Sequence, residues 1–282
     1  MPSFNPVIAV QRAFEVLAVV NRHKNVSIQT IHQETGLHKA TVIRMLDTLI
    51  HEGYVAKAAR SVYVPTARTL LLSQGYDRAN RVGEIAGPIL AEFRRKIGWP
   101  SDISIYSDNS MLVVQTTREQ GPLYFNRKAG YRAPILVTSV GQAYLAFCSA
   151  QERHRIIVDL AKVGGPRNER AKDLARLEND LAKIREQGFA TMRATYSNEE
   201  YGGKIWGMAV PVRDNGGVYG AVNILMLKSA SSEDAALKRF LRPLQEVGLE
   251  LGRAIGAEIA GVALDETIAE DGKTTAQQVQ MR

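Results

Sequence analysis

Apolar residues recur every three or four positions in the segment 27–53, which predicts two short helices joined by a tight turn. Ser27 is placed to cap the first helix, because its hydroxyl can accept a hydrogen bond from a backbone N–H two or three residues further on. Gly36 falls at the turn, where a positive φ costs glycine little. The second helix should run from about His38 to a stop at Gly53. Its predicted buried face comprises Val42, Met45, Leu46 and Leu49.

The opposite face of this second predicted helix is polar and basic. Thr41, Arg44 and Thr48 recur there at helical spacing, and His38 and Lys39 project from its N-terminal end. A helix that is apolar behind and basic in front suits the DNA major groove, where residues near the helix N-terminus meet base edges. An ordinary helix pair packed in a protein core would show the same apolar pattern, so the flanking segments must decide between the two.

Two short β-prone runs follow, at 54–56 and 62–64, and they predict a β-hairpin. The connecting residues include Lys57 and Arg60, so the tip of the hairpin is basic. Such a hairpin is the wing of a winged helix-turn-helix, and its cations could reach backbone phosphates, which position a protein without reading sequence. The wing favours the DNA-binding interpretation for residues 6–66.

A further helix is predicted upstream, from about Ala9 to Arg22, where it would complete a three-helix core. Its predicted inward residues are Val10, Ala13, Phe14, Leu17 and Val20. Downstream, residues 67–82 are predicted to form a linker helix. Because the adjacent leucines at 70–72 cannot share one helix face, we expect this segment to contact another subunit as well as its own domain.

The pattern changes after residue 82 to strands mixed with helices. Strands are predicted at 101–107, 111–117, 123–127, 189–196, 206–212 and 218–227. Helices are predicted at 139–147, 149–161, 174–188 and from 232 onward. The fold class is therefore α+β, with one sheet flanked by helices over 83–262 and a polar, disordered tail over 263–282. Small residues along such a sheet could form a cup for a small molecule, and a dimerisation domain without ligand is the alternative.

Composition and charge are consistent with a two-domain protein that binds a polyanion. The chain has 282 residues, a hydrophobic fraction of 45% and a net charge of +7. Residues 1–80 contain nine Lys/Arg and five Asp/Glu, a balance of +4. This excess favours nucleic acid as a partner, although scattered solubilising charge would give a similar count.

Targeting and metal-binding signals are missing from the sequence. No apolar run approaches the ~20 residues that span a bilayer, and the N-terminus lacks the basic and apolar regions of a signal peptide. The single cysteine, Cys148, cannot form an internal disulfide, and no Cys/His cluster has the spacing of a zinc site. We therefore expect a cytoplasmic protein with no metal, no cofactor and no membrane partner.

The sequence offers little for catalysis. Cys148 and His154 are six residues apart, but a helix capped by Ser149 would place them on separate elements, and a buried structural cysteine is the simpler interpretation. Asp102 and Glu119 lie near predicted strand ends without forming a carboxylate pair, and the glycine pairs match no phosphate-binding loop. We do not expect an enzyme.

Three stretches resemble the IclR family of bacterial transcriptional regulators: TGLHKATVIRMLDTLIHEGYV, ILVTSVGQAYLAFC and MAVPVRDNGGVYGAVNI. The resemblance implies an N-terminal winged helix-turn-helix, a linker helix and a GAF-like effector domain. It also implies homodimers, in some relatives dimers of dimers, that bind double-stranded operator DNA, with RNA polymerase as a further partner of an activator. The segments WPSDIS and LYFNRKAGYR resemble a narrower branch that includes an activator of hydroxyphenylpropionate breakdown.

The resemblance assigns DNA contacts to positions on and near the second predicted helix. With the cap, wing and helix residues identified above, the predicted DNA-binding set is Ser27, His38, Lys39, Ala40, Thr41, Val42, Arg44, Thr48, Lys57 and Arg60. Many relatives have serine at the position of Ala40, so a hydroxyl–phosphate contact available to them is absent here. The alternative function is a ligand-binding or oligomerisation module whose helix pair contacts protein.

The resemblance also assigns an effector site. Its positions are Phe125, Ala133, Ser139, Val140, Ser197, Gly207, Asn223 and Leu225. In relatives that bind small oxo-acids the last two positions carry hydroxyls, whereas here they carry an amide and an apolar group. This difference favours an aromatic, carboxylated effector. Candidate carboxylate donors are Thr138, Ser139 and Asn223, and either Arg127 or Arg132 could add a charge-assisted pair or form only a surface salt bridge.

Overall fold

The computed structural model of the protein describes residues 5–23, 25–58, 61–73, 77–118 and 128–261. The chain divides into two compact units, Met1–Asp77 and Arg78–Arg282. In the described part of the chain, no helix is long and apolar enough to cross a membrane. The predicted disordered tail, residues 263–282, lies outside the described residues.

The first unit is a three-helix core with a β-hairpin, as predicted. Its elements are α1 (Ile8–Arg22), α2 (Ile28–Thr35), α3 (Lys39–His51), β1 (Val55–Ala58) and β2 (Val62–Pro65). The two strands pair antiparallel, and Val26 forms an isolated antiparallel bridge with Tyr63 of β2. This bridge ties the segment between α1 and α2 to the hairpin.

Local signals fix the start of α2 and the turn that follows it. The Ser27 hydroxyl accepts a hydrogen bond from the backbone N–H of Thr30 at 3.2 Å, which caps α2. Gly36 ends α2 with a φ of 68°, in the left-handed region. On the other side of the turn, His32 Nδ1 lies 2.7 Å from the carbonyl oxygen of Leu37. The predictions of Ser27 as the cap of this helix and of Gly36 as the turn residue are both confirmed.

The inward face of α1 differs from the prediction. Leu17 and Val20 are buried, but Val10 is 51% exposed and Phe14 is 60% exposed. The helix carries apolar residues on two faces, and the pattern alone does not tell which one meets α2 and α3. Its C-terminal half packs into the core and its N-terminal half leaves an apolar surface uncovered.

The predicted linker helix over 67–82 is not a single helix. Residues Ala67–Ser73 form a 3-10 helix, and the α-helix α4 begins at Arg78 and continues through Pro88 to Ile97. A 3-10 helix has about three residues per turn, so adjacent residues point in different directions. All three leucines at 70–72 are more than half exposed, so this segment presents apolar surface in more than one direction.

Among its described residues, the second unit is built on a six-stranded sheet in which all strand pairs are antiparallel. The strands are β3 (Ser101–Ser107), β4 (Ser110–Thr116), β5 (Arg132–Pro134), β6 (Ala190–Thr191), β7 (Ile205–Asp214) and β8 (Gly217–Leu227). Their order across the sheet is β5-β4-β3-β8-β7-β6. The predictions for β3, β4, β7 and β8 are confirmed, and the predicted strand at 123–127 lies outside the described residues.

Helices cover both faces of this sheet. They are α4, α5 (Ser139–Phe147), α6 (Ala150–Val163), α7 (Leu174–Gln187), α8 (Ala194–Tyr201) and α9 (Glu233–Ile259). On one face α4 and α9 pack on an aliphatic cluster that includes Ile103, Val210 and Val222. On the other face α5, α6 and α7 surround a second cluster that includes Ala209 and Ala221.

The strand predicted at 189–196 is wrong beyond its first residues. Ala190–Thr191 pair with β7, and the N–H of Met192 still bonds to the carbonyl oxygen of Gly207. The helix α8 follows, with Gly202 in a left-handed conformation as its C-cap. The aromatic and β-branched residues of this segment favour a strand locally. The chain nevertheless leaves the sheet, because the N–H of Arg193 bonds to the carbonyl oxygen of Val137 outside the sheet.

Candidate functional site

The outward face of α3 carries two uncommitted cations. Lys39 and Arg44 are exposed, and neither side chain forms a hydrogen bond or ion pair with any described residue. His38 and Ala40 are exposed beside them, and Thr41 is half-buried. This face combines a helix N-terminus with free positive charge, as the sequence predicted.

Val42 does not belong to this outward face. Its side chain is fully buried, in the same core cluster as Leu46 and Leu49. The three residues are spaced four and three apart, which places them on one side of the helix. The prediction that Val42 contacts DNA is therefore wrong for its side chain.

Ile43 takes an outward position that sequence reasoning missed. It is 41% exposed and lies one helical turn from both Lys39 and Asp47. The sequence signal for this position was an apolar side chain among the polar residues of the outward face. In the major groove such a group can contact the methyl group of thymine.

Two predicted DNA-contact side chains are engaged within the protein. The Ser27 hydroxyl caps α2, and the Thr48 hydroxyl donates to the carbonyl oxygen of Arg44 at 2.9 Å. Lys57 is exposed on β1, where the hairpin offers it to solvent. Arg60 lies outside the described residues.

The first unit also has an open apolar groove of about 360 Å³. Its walls come from α1, α3 and the 3-10 helix, and they include Val10, Phe14, Met45, Tyr54 and Leu72. The exposed N-terminal half of α1 forms one side of the groove. The groove is open because these α1 residues do not pack into the core.

In the second unit, strand register gathers polar residues on one face of the sheet. Asp102 of β3 lies opposite Asn223 of β8, and Asn223 lies opposite Ala209 of β7. Ser104 lies opposite Ala221 on the same face. Because side chains alternate along a strand, this face is turned away from α4 and α9.

Most predicted effector positions are buried on or beside this face, which we call the polar sheet face. The described ones are Ala133, Ser139, Val140, Ser197, Gly207, Asn223 and Leu225, and all are buried. Phe125 lies outside the described residues. A Cβ built on Gly207 would lie 2.2 Å from a methyl group of Leu225, so the leucine side chain rests directly on this glycine.

The start of α5 closes one side of the polar sheet face. The Thr138 hydroxyl donates to the carbonyl oxygen of Pro134 at 2.6 Å and accepts from the N–H of Gly141 at 3.2 Å. The Thr138 hydroxyl is therefore occupied as a helix cap, and it has no proton left to donate to a carboxylate. The N–H groups of Ser139 and Val140 belong to the first turn, which has no acceptors within the helix.

The remaining carboxylate-donor candidates also have defined places. Asn223 Oδ1 accepts from the backbone N–H of Asp102 at 3.0 Å. Arg132 bonds to Ser107 and Ser110 and pairs with Asp108, and its side chain is 48% exposed. Arg132 thus forms the surface salt bridge that was the alternative interpretation, and Arg127 lies outside the described residues.

Arg118 is the cation that sequence reasoning missed. Its Nε and Nη2 donate to the two carboxylate oxygens of Asp102 at 3.0 and 2.9 Å. The side chains are 3% and 0% exposed, and the Thr116 hydroxyl donates to the same carboxylate at 2.6 Å. The signal was Asp102 itself, because a carboxylate inside an apolar strand must be paired.

A second cavity, of about 630 Å³, lies among α7, α8 and the segment between α6 and α7. Arg170 and Arg193 both bond to Asp180 on its wall. Burial alone would raise the pKa of Asp180, but these two hydrogen bonds outweigh it and lower the pKa. None of the described effector positions lines this cavity. Val137 and Tyr196 on its wall belong to the same apolar cluster as Leu225 of the polar sheet face.

Nothing described suggests a catalytic nucleophile or a metal centre. Burial raises the pKa of the Cys148 thiol to about 12, which keeps it protonated and unreactive at neutral pH. Among the described residues, no group of three or more His, Cys, Asp or Glu side chains could hold a metal ion.

Comparisons with known proteins match the same protein family to both units. The IclR helix-turn-helix domain matches residues 9–59, and the C-terminal domain of bacterial transcriptional regulator IclR matches residues 76–253. The regulator XynR of Escherichia coli K12 is 25% identical over 255 residues, which cover 89% of this chain and 98% of XynR. The regulator KdgR of the same organism is 23% identical over 253 residues, covering 89% and 93%.

Solved structures agree at the level of the fold. An IclR-family transcriptional regulator from Rhodococcus superposes with a TM-score of 0.65 at 19% identity, over 89% of this chain and 97% of that one. The IclR protein of Thermotoga maritima superposes with a TM-score of 0.51 at 20% identity, over 88% and 99%.

Proposed function

Because the chain belongs to the IclR family of bacterial transcriptional regulators, we propose that it binds operator DNA as a homodimer under the control of a small aromatic carboxylate. The outer face of α3 enters the major groove, and the β1–β2 hairpin contacts the flanking backbone. The effector binds on the polar sheet face of the second unit.

The single observation that carries the DNA-binding proposal is the free positive charge on α3. Most described arginines of the second unit are engaged with carboxylates or carbonyl oxygens, for example Arg81, Arg118 and Arg153. Lys39 and Arg44 instead face solvent without a described partner. Arginine and lysine bind guanine in the major groove and phosphates beside it, so their freedom supports a DNA contact.

The uncovered apolar surface of the first unit supports the homodimer. Val10, Phe14 and the leucines at 70–72 are all at least half exposed. Contiguous apolar surface of this kind usually marks an interface. A twofold pair of first units would present two α3 helices to two half-sites, which is how dimeric helix-turn-helix proteins read a pseudo-palindrome.

The polar sheet face supports a carboxylated aromatic effector. Gly207, Ala209 and Ala221 contribute only small residues to it, and Leu225, which rests on Gly207, adds an apolar surface. The N-terminus of α5, at Ser139 and Val140, carries the positive end of a helix dipole and free N–H donors for a carboxylate. The ligand regulates DNA binding if its affinities for the DNA-free and DNA-bound forms differ.

A gel-shift experiment with the DNA upstream of the protein's own gene tests this function. We expect a specific complex that survives competition by random DNA and weakens steeply with added salt, because phosphate contacts release counterions. An aromatic acid should shift the midpoint of this titration. Absence of any specific complex would favour the alternative, in which the helix pair contacts protein.

A further inference from the structure

Arginines are grouped on one wall of the cavity of about 630 Å³, which we call the α7–α8 cavity after two of the helices that form it. Arg170 and Arg193 donate to the same oxygen of Asp180, Oδ2, at 2.7 and 2.9 Å. Arg176 also lines the cavity, and it precedes Asp180 by four residues in α7, so the two lie one turn apart on the same side of the helix. Three guanidinium groups are therefore grouped around one carboxylate, and this wall is positively charged.

The other charged residues on the wall have their own partners or lie away from Asp180. Lys172 pairs with Glu169 at 2.9 Å, and the Asp173 carboxylate is occupied as the cap of α7. Glu199 also lines a neighbouring shallow cavity formed by residues 164–167, which places it at the edge of the wall towards that cavity. The excess of positive charge around Asp180 thus remains.

These arginines still have hydrogen bonds to donate. Arg193 bonds through Nε to Gln142 and through Nη2 to Asp180, but no described residue accepts a hydrogen bond from its Nη1. The Arg176 side chain is exposed and has no partner among the described residues. Burial lowers the pKa of Arg170, and the neighbouring charge of Arg193 lowers that pKa further, against the opposing effect of Asp180. A bound anion would relieve this repulsion.

The start of α8 adds backbone donors to the same cavity. The N-cap residue of α8, Arg193, forms no side-chain cap, whereas the N-terminus of α7 is capped by Asp173. Thr195 and Tyr196, in the first turn of α8, line the cavity. First-turn N–H groups have no acceptor within their own helix, and with the positive end of the helix dipole they favour a phosphate or a similar anion.

Charge and volume favour a phosphate monoester as the ligand. A phosphate group carries a charge of about −1.5 to −2 at pH 7 and has three strong acceptor oxygens, which suits three arginines that share one carboxylate. A carboxylate has one charge and two oxygens, and Asp180 already supplies one. Val137, Leu177 and Tyr196 are buried on the same wall and offer an apolar surface to the carbon skeleton of an ester. The volume is that of a site for a small organic molecule.

We propose that the α7–α8 cavity binds a small phosphate monoester, whose phosphate group is held by Arg170, Arg176 and Arg193. It is a second ligand site beside the proposed effector site, and its ligand is not the aromatic acid. This inference goes beyond the proposed function, and neither depends on the other.

Calorimetry on the full chain in phosphate-free buffer tests the inference with two matched pairs of anions. Glucose 6-phosphate is compared with glucuronate, which carries a carboxylate on the same ring, and inorganic phosphate is compared with acetate. In at least one pair we expect the phosphate compound to bind more tightly, by about tenfold. Binding of the phosphate compound that is equal or weaker in both pairs, or absent for both up to about 1 mM, overturns the inference.

The variant Arg176→Gln assigns phosphate binding to this cavity. Because the Arg176 side chain is exposed, the variant should fold, and we expect it to lose about five- to tenfold in affinity for the phosphate compound. Lys183→Gln removes the same charge from an exposed position of α7 that does not line the cavity, and it should change this affinity by less than about twofold. Equal affinities in the two variants overturn the inference.

Asp180→Asn should act in the opposite direction, because it removes the carboxylate that offsets Arg170 and Arg193. We expect the folded variant to bind the phosphate compound more tightly than the wild type; unchanged or weaker binding contradicts the role of charge. If this variant does not fold, the Arg176→Gln result decides.

Titration with benzoate separates the two ligand sites. Arg176→Gln should bind benzoate like the wild type, and a parallel loss of benzoate and phosphate affinity would overturn the assignment of a second site. If the wild type binds the phosphate compound and not benzoate, the proposed aromatic effector fails while the phosphate site stands.

Discussion

Arg118 binds Asp102 through two hydrogen bonds of 3.0 and 2.9 Å, with both side chains almost completely buried. The pair joins the end of β4 to the centre of the polar sheet face. It is a buried structural element of the second unit.

Removing one partner of this buried pair should destabilise the second unit. We expect Arg118→Met to lower the free energy of unfolding by roughly 3–5 kcal/mol, since the Asp102 carboxylate would remain buried without its counter-charge. Arg132→Met is the control, because Arg132 pairs with Asp108 at the surface, and its loss should cost less than about 1 kcal/mol. Urea unfolding followed by circular dichroism measures both. Equal losses in the two variants would contradict the assignment of Arg118–Asp102 as a buried pair.

The dimer proposal depends on the apolar surface of the first unit. Phe14→Glu places a charge on this surface, and we expect the protein to become monomeric in sedimentation velocity while keeping its helical circular dichroism spectrum. The fold should survive because Phe14 is largely exposed within one chain. Val163→Glu, an exposed apolar position of the second unit, should leave the oligomeric state unchanged. A dimeric Phe14→Glu protein would remove this surface from the interface.

Acid should weaken the cluster of Asp180 with Arg170 and Arg193. The pKa of Asp180 is lowered from its ordinary value of 3.8, so its ionised form stabilises the folded state. That contribution is present above the ordinary value and is lost as the pH falls through the folded-state pKa. We expect Asp180→Asn to cost about 1 kcal/mol at neutral pH, because these groups are partly exposed. Its unfolding free energy should also fall less steeply below about pH 4.

Thermal unfolding from pH 7 to pH 2 checks this, with Asp159→Asn as the control. Asp159 forms only an exposed pair with Lys162, so its loss should leave the acid dependence near that of the wild type. Superimposable pH profiles for the wild type and Asp180→Asn would show that the two arginines do not stabilise the ionised carboxylate.

The wing should contribute affinity without sequence preference. We expect Lys57→Ala to weaken binding to operator and random DNA by similar factors, and to reduce the slope of log K against log salt by about 1, because it removes one phosphate contact. Fluorescence anisotropy over a salt series measures this slope. A loss confined to the operator would instead assign Lys57 to base recognition.

Signals carried by nearby residues predicted much of the fold. Ser27 and Gly36 mark the helix-turn-helix, Ser149 caps α6 as its position suggested, and the strands predicted at 206–212 and 218–227 form β7 and β8. The resemblance to the IclR family is also confirmed by matches over both units. Each of these features is encoded within a few residues or within a long, continuous pattern.

The errors concern contacts between distant residues. Phe14 is apolar and helical, but only the assembled unit shows that it faces away from the core. The segment 189–196 has strand-forming residues, but Arg193 bonds outside the sheet. Arg118 reads as a surface cation at a strand end, and its burial follows from Asp102, 16 positions earlier. Local propensity does not contain this information.

The central claim is that the outward face of α3 reads operator sequence. The most direct test compares the binding of Arg44→Ala to operator DNA and to random DNA. Arg242→Ala, at an exposed arginine of α9, is the matched control and should bind both like the wild type. We expect Arg44→Ala to lose roughly 1–3 kcal/mol of binding free energy on the operator and much less on random DNA. Equal losses on both would reduce Arg44 to a phosphate contact, and no loss on either would contradict the assignment of α3 as the recognition helix.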